Sequence, residues 1–266
     1  MKQVVLGVEI STTTYADVVA RCEQWIQEAR NIRVTGGAAP GRCVCVTSVH
    51  GIMTARTDCG FRKILNDADI ATPDGMPVVW ALRSFGHRAQ TRVYGPTLML
   101  HLCASAAERG HNVFLYGGRP EVLPTLQAKL IARFPSLRIV GMYSPPFRPL
   151  TPNEDLEVVR KLVDSAADLI FVGISTPKQE KWMSVHARKL PGVVMIGVGA
   201  AFDFHAGRVR QAPGWMQEHG LEWLYRLLVE PRRLWRRYLL QTPLFLPLWL
   251  MQLVGLLRHP TRPALH

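Results

Sequence analysis

Asp74 stands in the turn Thr72-Pro73-Asp74-Gly75, directly after a short apolar run. A carboxylate held at the mouth of a cleft can take the proton from an attacking hydroxyl as a general base. Pro-Asp-Gly is also an ordinary turn in which Asp serves only the backbone, and on the residues alone both readings stay open. His50 follows another apolar run, Cys43–Val49, where it can line the same cleft or be a satisfied structural histidine. Arg226, Arg233 and Arg237 fall near one face of a helix, with Arg236 beside them. Clustered guanidinium groups can grip a diphosphate bidentately and neutralise a departing nucleoside diphosphate. They can equally form a solvated or lipid-facing basic surface.

Other spacings carry less chemistry. Asp67-Ala68-Asp69 spells the paired-carboxylate pattern that holds divalent metals in many sugar-nucleotide enzymes. It falls at the end of a helical stretch and not past a strand end, so no metal ligands are assigned. Gly197-Val198-Gly199 starts like a dinucleotide turn, but the next glycine of that fingerprint would fall at Phe202. The fingerprint is absent at Gly117-Gly118 as well, and no GxxxxGK[ST] loop occurs. These absences weigh against the rival reading, a nucleotide-sugar dehydrogenase or epimerase. Phosphates can still bind at helix N-termini above a sheet.

The elements that would position these residues follow from hydrophobic periodicity. Strands are expected over Val4–Ile10, Cys43–Val49, Asn112–Tyr116, Arg138–Met142, Asp168–Gly173 and Val193–Val198, with a short one at Ile70–Ala71. Helices are expected over Tyr15–Arg30, Gly51–Asn66, Pro77–Phe85, Thr97–Arg109, Val122–Phe134, Leu156–Ala166 and Lys178–Lys189. Short apolar strands alternating with helices specify an α/β fold, a Rossmann-like and mostly parallel sheet covered on both faces. Ligands of such sheets sit beyond the carboxyl ends of the strands. The turns there are Ser48–His50, Pro73–Met76, Gly117–Gly118, Ser175–Gln179 and Gly199–Asp203.

The character of the chain changes near Gly207, which divides a catalytic domain (1–207) from an Arg-rich and apolar helical appendage (208–266). Seven arginines lie between Arg208 and Tyr238, and the nineteen residues Leu239–Leu257 then carry no charge. That length could just cross a bilayer. Pro243 and Pro247 interrupt it, so an interfacial segment fits better, with arginines at the phosphate level and Leu, Phe and Trp in the acyl boundary. Burial against protein, including a second copy of the chain, is the alternative. The formal net charge is +12, which suits anionic partners. A non-catalytic basic membrane-binding module would spread that charge over a flat surface, whereas here it clusters beside the expected cleft. Five cysteines without a CxxC pair read as reduced, mostly buried thiols.

Taken in order, several segments resemble the WecG/TagA/CpsF family of bacterial glycosyltransferases. They are Thr72-Pro-Asp-Gly-Met-Pro77, Arg92-Val-Tyr-Gly-Pro96, Phe114-Leu-Tyr-Gly-Gly118, Pro177-Lys-Gln-Glu180, Gly197-Val-Gly-Ala-Ala-Phe-Asp203, Gly220-Leu-Glu-Trp-Leu-Tyr-Arg226 and Glu230–Tyr238. The resemblance implies transfer from a UDP-sugar to an undecaprenyl-diphosphate-linked sugar. The chemistry would be inverting and metal-independent, without a cofactor, at the cytoplasmic face of the inner membrane. Donors in the family include N-acetylmannosamine, its uronic acid and glucose-type sugars, and nucleic acid is not a partner. The resemblance puts the base on Asp74 and a donor-side amide on Gln179. It puts diphosphate ligands on Arg226, Arg233 and Arg236 or Arg237, in an appendage that closes over the site. Thr47, Ser48, His50, Gly95, Gly117, Gly118, Gly199, Phe202 and Asp203 complete the expected substrate-binding set. Two departures stand out. The family's Thr-Asn pair is Thr47-Ser48 here, a hydroxyl of shorter reach that bears on donor positioning. The family's Arg-Ala-Pro is Gln211-Ala212-Pro213, one cation fewer, and no role is carried onto Gln211.

Overall fold

In the computed structural model residues 1–257 are described. The chain opens on a hairpin, β1 (Lys2–Val5) and β2 (Val8–Ser11), followed by α1 (Tyr15–Val34). The single strand expected over Val4–Ile10 is therefore two. Leu6 (φ 49°) and Gly7 (φ 89°) both take the left-handed conformation, which a two-residue hairpin turn requires. Then come β3 (Arg42–Thr47), α2 (Val49–Thr57), α3 (Cys59–Asp67), β4 (Ile70–Pro73), α4 (Met76–Ser84) and α5 (Gly95–Arg109). The helix expected over Gly51–Asn66 is thus broken. Asp58 turns extended (φ −116°, ψ 96°) and its carboxylate accepts from Phe61 N at 2.8 Å, capping α3 as a new start.

The chain continues through β5 (Asn112–Gly117), α6 (Val122–Arg133), β6 (Arg138–Tyr143), α7 (Pro152–Asp164), β7 (Leu169–Gly173), α8 (Lys178–His186), β8 (Val194–Gly197) and α9 (Ala201–His205). Strands β3 to β8 form one six-stranded sheet in the order β4-β3-β8-β7-β5-β6. Every pairing in it is parallel, as the α/β reading requires. Strand interiors such as Val44, Leu115, Phe171 and Ile196 are buried, and separate apolar cores fill the two faces. All five cysteines are free, and only Cys59 is exposed. Burial pushes the Cys22, Cys43 and Cys103 thiols up to about 12, so they pack as protonated core groups.

Beyond Gly207 the described chain is helical: α10 (Gly214–Glu218), α11 (Glu222–Val229), α12 (Pro231–Trp235), a π-helical turn (Arg236–Gln241) and α13 (Thr242–Leu253). The uncharged run is therefore divided between the π turn and α13. Among the described residues no helix is long and apolar enough to cross a membrane. One side of α13 packs on the sheet domain. Phe245 is fully buried, Leu248 and Trp249 rest on the same core, and Trp249 Nε1 donates to Ser84 Oγ at 3.1 Å. Gln252 accepts from Leu6 N at 2.8 Å and donates to Val4 O at 3.0 Å, satisfying the open edge of the hairpin. The other side of α13 presents Leu244, Leu246, Leu250 and Leu253 to solvent.

Candidate active site

Strand β4 ends at Pro73, and the next peptide is fixed against β3 when Asp74 N donates to Thr47 O at 3.0 Å. Gly75 then adopts φ 93°, which a side chain would resist, and α4 starts at Met76. This holds the Asp74 carboxylate above the sheet. Val93 N donates to Pro73 O at 3.0 Å, so the segment before α5 runs alongside and delivers Arg92 to Asp74. Arg92 Nε and Nη2 donate to Asp74 Oδ1 at 3.2 and 3.0 Å. The same Nη2 donates to Glu222 Oε2 on α11 at 2.6 Å. Tyr94 donates its hydroxyl to Glu222 Oε1 at 3.1 Å, and the guanidinium sits 4.0 Å from the Tyr94 ring centroid.

The cluster is well shielded, with side-chain exposures of 15%, 19% and 13% for Arg92, Asp74 and Glu222. Burial opposes the charge on Arg92, but the carboxylates of Asp74 and Glu222 outweigh it and hold the guanidinium above its ordinary range. Burial first, then the same two carboxylates, push the Tyr94 phenol up, so Tyr94 remains a donor.

Two cavities meet at this cluster. One, of about 90 Å³, has mostly apolar walls, including Val49, Met76, Pro77 and Trp223. The other, of about 330 Å³, is mostly polar and lies over the carboxyl ends of β3, β7 and β8. Ser48, His50, Asp74 and Arg226 belong to both walls. The N-terminal residues of α2 and α5 reach the polar cavity, where the helix dipole favours an anion. Gly95 allows α5 this approach, since a Cβ there would lie 3.3 Å from Val198 O. Gln179 forms part of the floor: its Oε1 accepts from Gly199 N at 3.0 Å and its Nε2 donates to Glu180 Oε1 at 3.0 Å. Burial pushes the Glu180 carboxyl up, and Glu180 also accepts from Thr176 at 2.7 Å.

Cations face the polar cavity from the appendage. Arg226 and Arg236 line it. Arg226 stands 5.6 Å from the Phe204 ring centroid, and its buried Nε has no hydrogen-bond partner among the described residues. Burial opposes its charge, yet Tyr238 and Glu222 raise it above the ordinary arginine range. The side chains of Arg233 and Arg237 lie outside the described residues.

Of the expected substrate-binding residues, Ser48, His50, Gly95, Gln179 and Gly199 thus gather with Asp74 around the cavities. Thr47 is buried behind the wall, its hydroxyl donating to Cys45 O at 3.2 Å. Gly117, Gly118, Phe202 and Asp203 line neither cavity. Their geometry has a packing cause: a Cβ on Gly117 would meet the Gly173 backbone at 2.7 Å, and one on Gly118 would meet the Phe202 ring at 3.1 Å. Asp203 carbonyl caps the following turn, accepting from Arg208 N at 2.9 Å, and its carboxylate lies 3.8 Å from the Arg208 guanidinium. The paired acids Asp67 and Asp69 lie elsewhere; Asp69 binds Arg42 and Cys43 N, each at 2.8 Å.

Three residues of the cluster had no assigned role in the sequence reading: Arg92, Tyr94 and Glu222. Each sits in a segment that carries the family resemblance. The available signal was chemical, since a shielded carboxylate at Asp74 demands a cation nearby.

A parallel α/β sheet with a carboxylate and arginines gathered beyond its strand ends has the form of a ligand cleft suited to an anion. Residues 3–259 match the Glycosyl transferase WecG/TagA/CpsF family; the chain belongs to that family and is a glycosyltransferase. Its relatives include the N-acetylglucosaminyldiphosphoundecaprenol N-acetyl-beta-D-mannosaminyltransferase of Bacillus subtilis, 33% identical over 200 residues, 75% of either chain. The enzyme of the same name from Bacillus spizizenii is 33% identical over 196 residues, 71% of this chain and 74% of that one.

Proposed function

We propose that the enzyme transfers an N-acetylmannosamine-, N-acetylglucosamine- or glucose-type sugar from UDP to an undecaprenyl-diphosphate-linked sugar, with inversion, in the synthesis of a cell-surface polysaccharide or exopolysaccharide. The observation that carries this reading is the position of Asp74 on the wall shared by a polar and an apolar cavity. The polar cavity takes the UDP-sugar, its diphosphate against the helix N-termini and Arg226 and Arg236. The apolar cavity takes the acceptor. The names of the Bacillus relatives supply the acceptor class.

The reaction is a single displacement. The acceptor oxygen bonds to the anomeric carbon as the bond from that carbon to the phosphate oxygen breaks. Asp74 accepts the hydroxyl proton. Negative charge collects on the leaving UDP, where Arg226 and Arg236 neutralise it without a metal or cofactor. Arg233 and Arg237, whose side chains are not described, are proposed to add to the same cluster. Attachment is proposed to be peripheral, at the cytoplasmic face, with the exposed apolar side of α13 meeting lipid.

The test is Asp74→Asn assayed against a panel of UDP-sugars with polyprenyl-diphosphate-linked acceptors. Unchanged melting and UDP retention, with transfer reduced roughly 10²–10⁴-fold, are expected. Near-full activity in that variant would overturn the base assignment.

A further inference from the structure

Glu180 is the third residue of α8 and is only 2% exposed. It lines neither cavity, but both of its partners line the polar one. Its Oε1 accepts twice, from the Thr176 hydroxyl at 2.7 Å and from Gln179 Nε2 at 3.0 Å. Its Oε2 is buried and has no hydrogen-bond partner among the described residues. An incompletely paired buried carboxyl is a costly way to hold a helix in place, and a group of this kind calls for a role beyond stability. Burial pushes the carboxyl up toward its neutral form, and Oε1 can accept in either form.

What Glu180 holds is the polarity of Gln179. Gly199 N can only donate, so the Gln179 atom 3.0 Å from it is the oxygen Oε1. The other end of the amide is then Nε2, and one of its two hydrogens goes to Glu180 Oε1. The amide lies against Gly197, where a Cβ would come within 2.9 Å of Nε2. Two turns meet through this chain of bonds. Ser175 and Thr176 form the turn after β7, and Gly199 belongs to the turn after β8; all three line the polar cavity. Ser175 takes φ 67°, which a residue other than glycine keeps only where its surroundings fix it. Gln179 N donating to Ser175 O at 3.0 Å and Thr176 donating to Glu180 are two such ties. We propose that Glu180 is a positioning residue for the sugar donor: it fixes the Gln179 amide so that the second hydrogen of Nε2 is offered to an acceptor oxygen of the bound UDP-sugar. The inference rests on the reading of the polar cavity as the UDP-sugar site. Without Glu180 the long Gln179 side chain would be less ordered beforehand, and its ordering would fall on the binding step.

The test is a double-mutant cycle on Gln179→Met and Glu180→Met in the full chain. UDP-N-acetylmannosamine, UDP-N-acetylglucosamine and UDP-glucose serve as donors, with polyprenyl-diphosphate-linked N-acetylglucosamine as acceptor. For a donor that binds without turnover, the dissociation constant replaces KM. Gln179→Met should raise the donor KM roughly tenfold, the weight of one hydrogen bond, with little change in the acceptor KM. Glu180→Met should match it within about twofold, and the double variant should be no worse than either, because one residue acts through the other. Glu180→Gln keeps a carbonyl oxygen where Oε1 stands and should recover most of the loss. Additive effects, equal changes in donor and acceptor KM, or a Glu180→Gln variant as impaired as Glu180→Met overturn the proposal. If Glu180→Met does not fold, the ¹⁵N-labelled Gln179 side-chain amide of the unaltered protein decides. Donor binding should move the resonance of the Nε2 proton that does not face Glu180, and an unmoved pair refutes the role. Hydrogen exchange with UDP alone separates this inference from the reading it rests on. Protection of the amides around Ser175 and Gly199, with the donor KM unchanged in Glu180→Met, leaves the UDP-sugar site standing and removes Glu180 from it. No protection there, together with no effect of Gln179→Met, defeats the site and the inference together.

Discussion

Two of the contacts between the appendage and the sheet domain use opposite chemistry. At α11 the seam is charged and shielded, built from Asp74, Arg92, Glu222 and the Tyr94 hydroxyl. At α13 it is apolar, centred on the fully buried Phe245, with Trp249 and Gln252 supplying the directional bonds. A shielded ion cluster contributes little net stability, because desolvation offsets the attraction, but breaking it is costly. An apolar seam stabilises in proportion to the area it removes from water and does not respond to small changes of charge. The contrast teaches a division of labour: α13 secures the appendage, and α11 connects it to the candidate site around Asp74.

Substitutions can break or sharpen that division. The largest effect is expected from Arg92→Met, which leaves two shielded carboxylates facing each other. Stability should fall by about 3–5 kcal/mol, read as a lower urea midpoint, and transfer should be lost. Phe245→Ala empties a core position, and about 3 kcal/mol should be lost. If the division holds, the acid limb of the pH profile stays where it is in that variant, because the charged seam is untouched. Gln252→Ala removes the acceptor of Leu6 N, while Val4 O keeps the Gln3 side-chain amide at 3.2 Å; the cost is about 1–3 kcal/mol. Faster hydrogen exchange confined to the hairpin is the signature to look for. The smallest stability change belongs to Leu250→Ser, which is 52% exposed and should fall within about 0.5 kcal/mol of the parent. Its reading is different: co-sedimentation with anionic vesicles should weaken. Full retention of vesicle binding there would remove the lipid role from this face of α13.

The sheet was legible because buried parallel strands write themselves as short apolar, β-branched runs, such as Cys43–Thr47 and Leu169–Val172. Places where a side chain bonds locally were less so. The break at Asp58 looks like one polar residue inside an amphipathic stretch, and only its bond to Phe61 N reveals a cap. The hairpin turn at Leu6-Gly7 was hidden because leucine rarely adopts a positive φ. Asp74 stood out since a turn just past a strand needs only local sequence to see. Its companions did not. Arg92 meets Glu222 across 130 residues, and no spacing rule spans that distance. Gly117 and Gly118 announced a tight place after a strand, and the structure shows that place filled by Gly173 and the Phe202 ring.

The bonds from Gln252 to Leu6 and Val4 have a consequence for how the protein is made. The hairpin leaves the ribosome well before Gln252, which follows Leu6 by 246 residues. Until that glutamine emerges, the Leu6 amide must be satisfied by water, while Val4 O keeps the Gln3 side-chain amide at 3.2 Å. Domains fold as units once their chain is available, so this clasp closes only after residue 252 has been added.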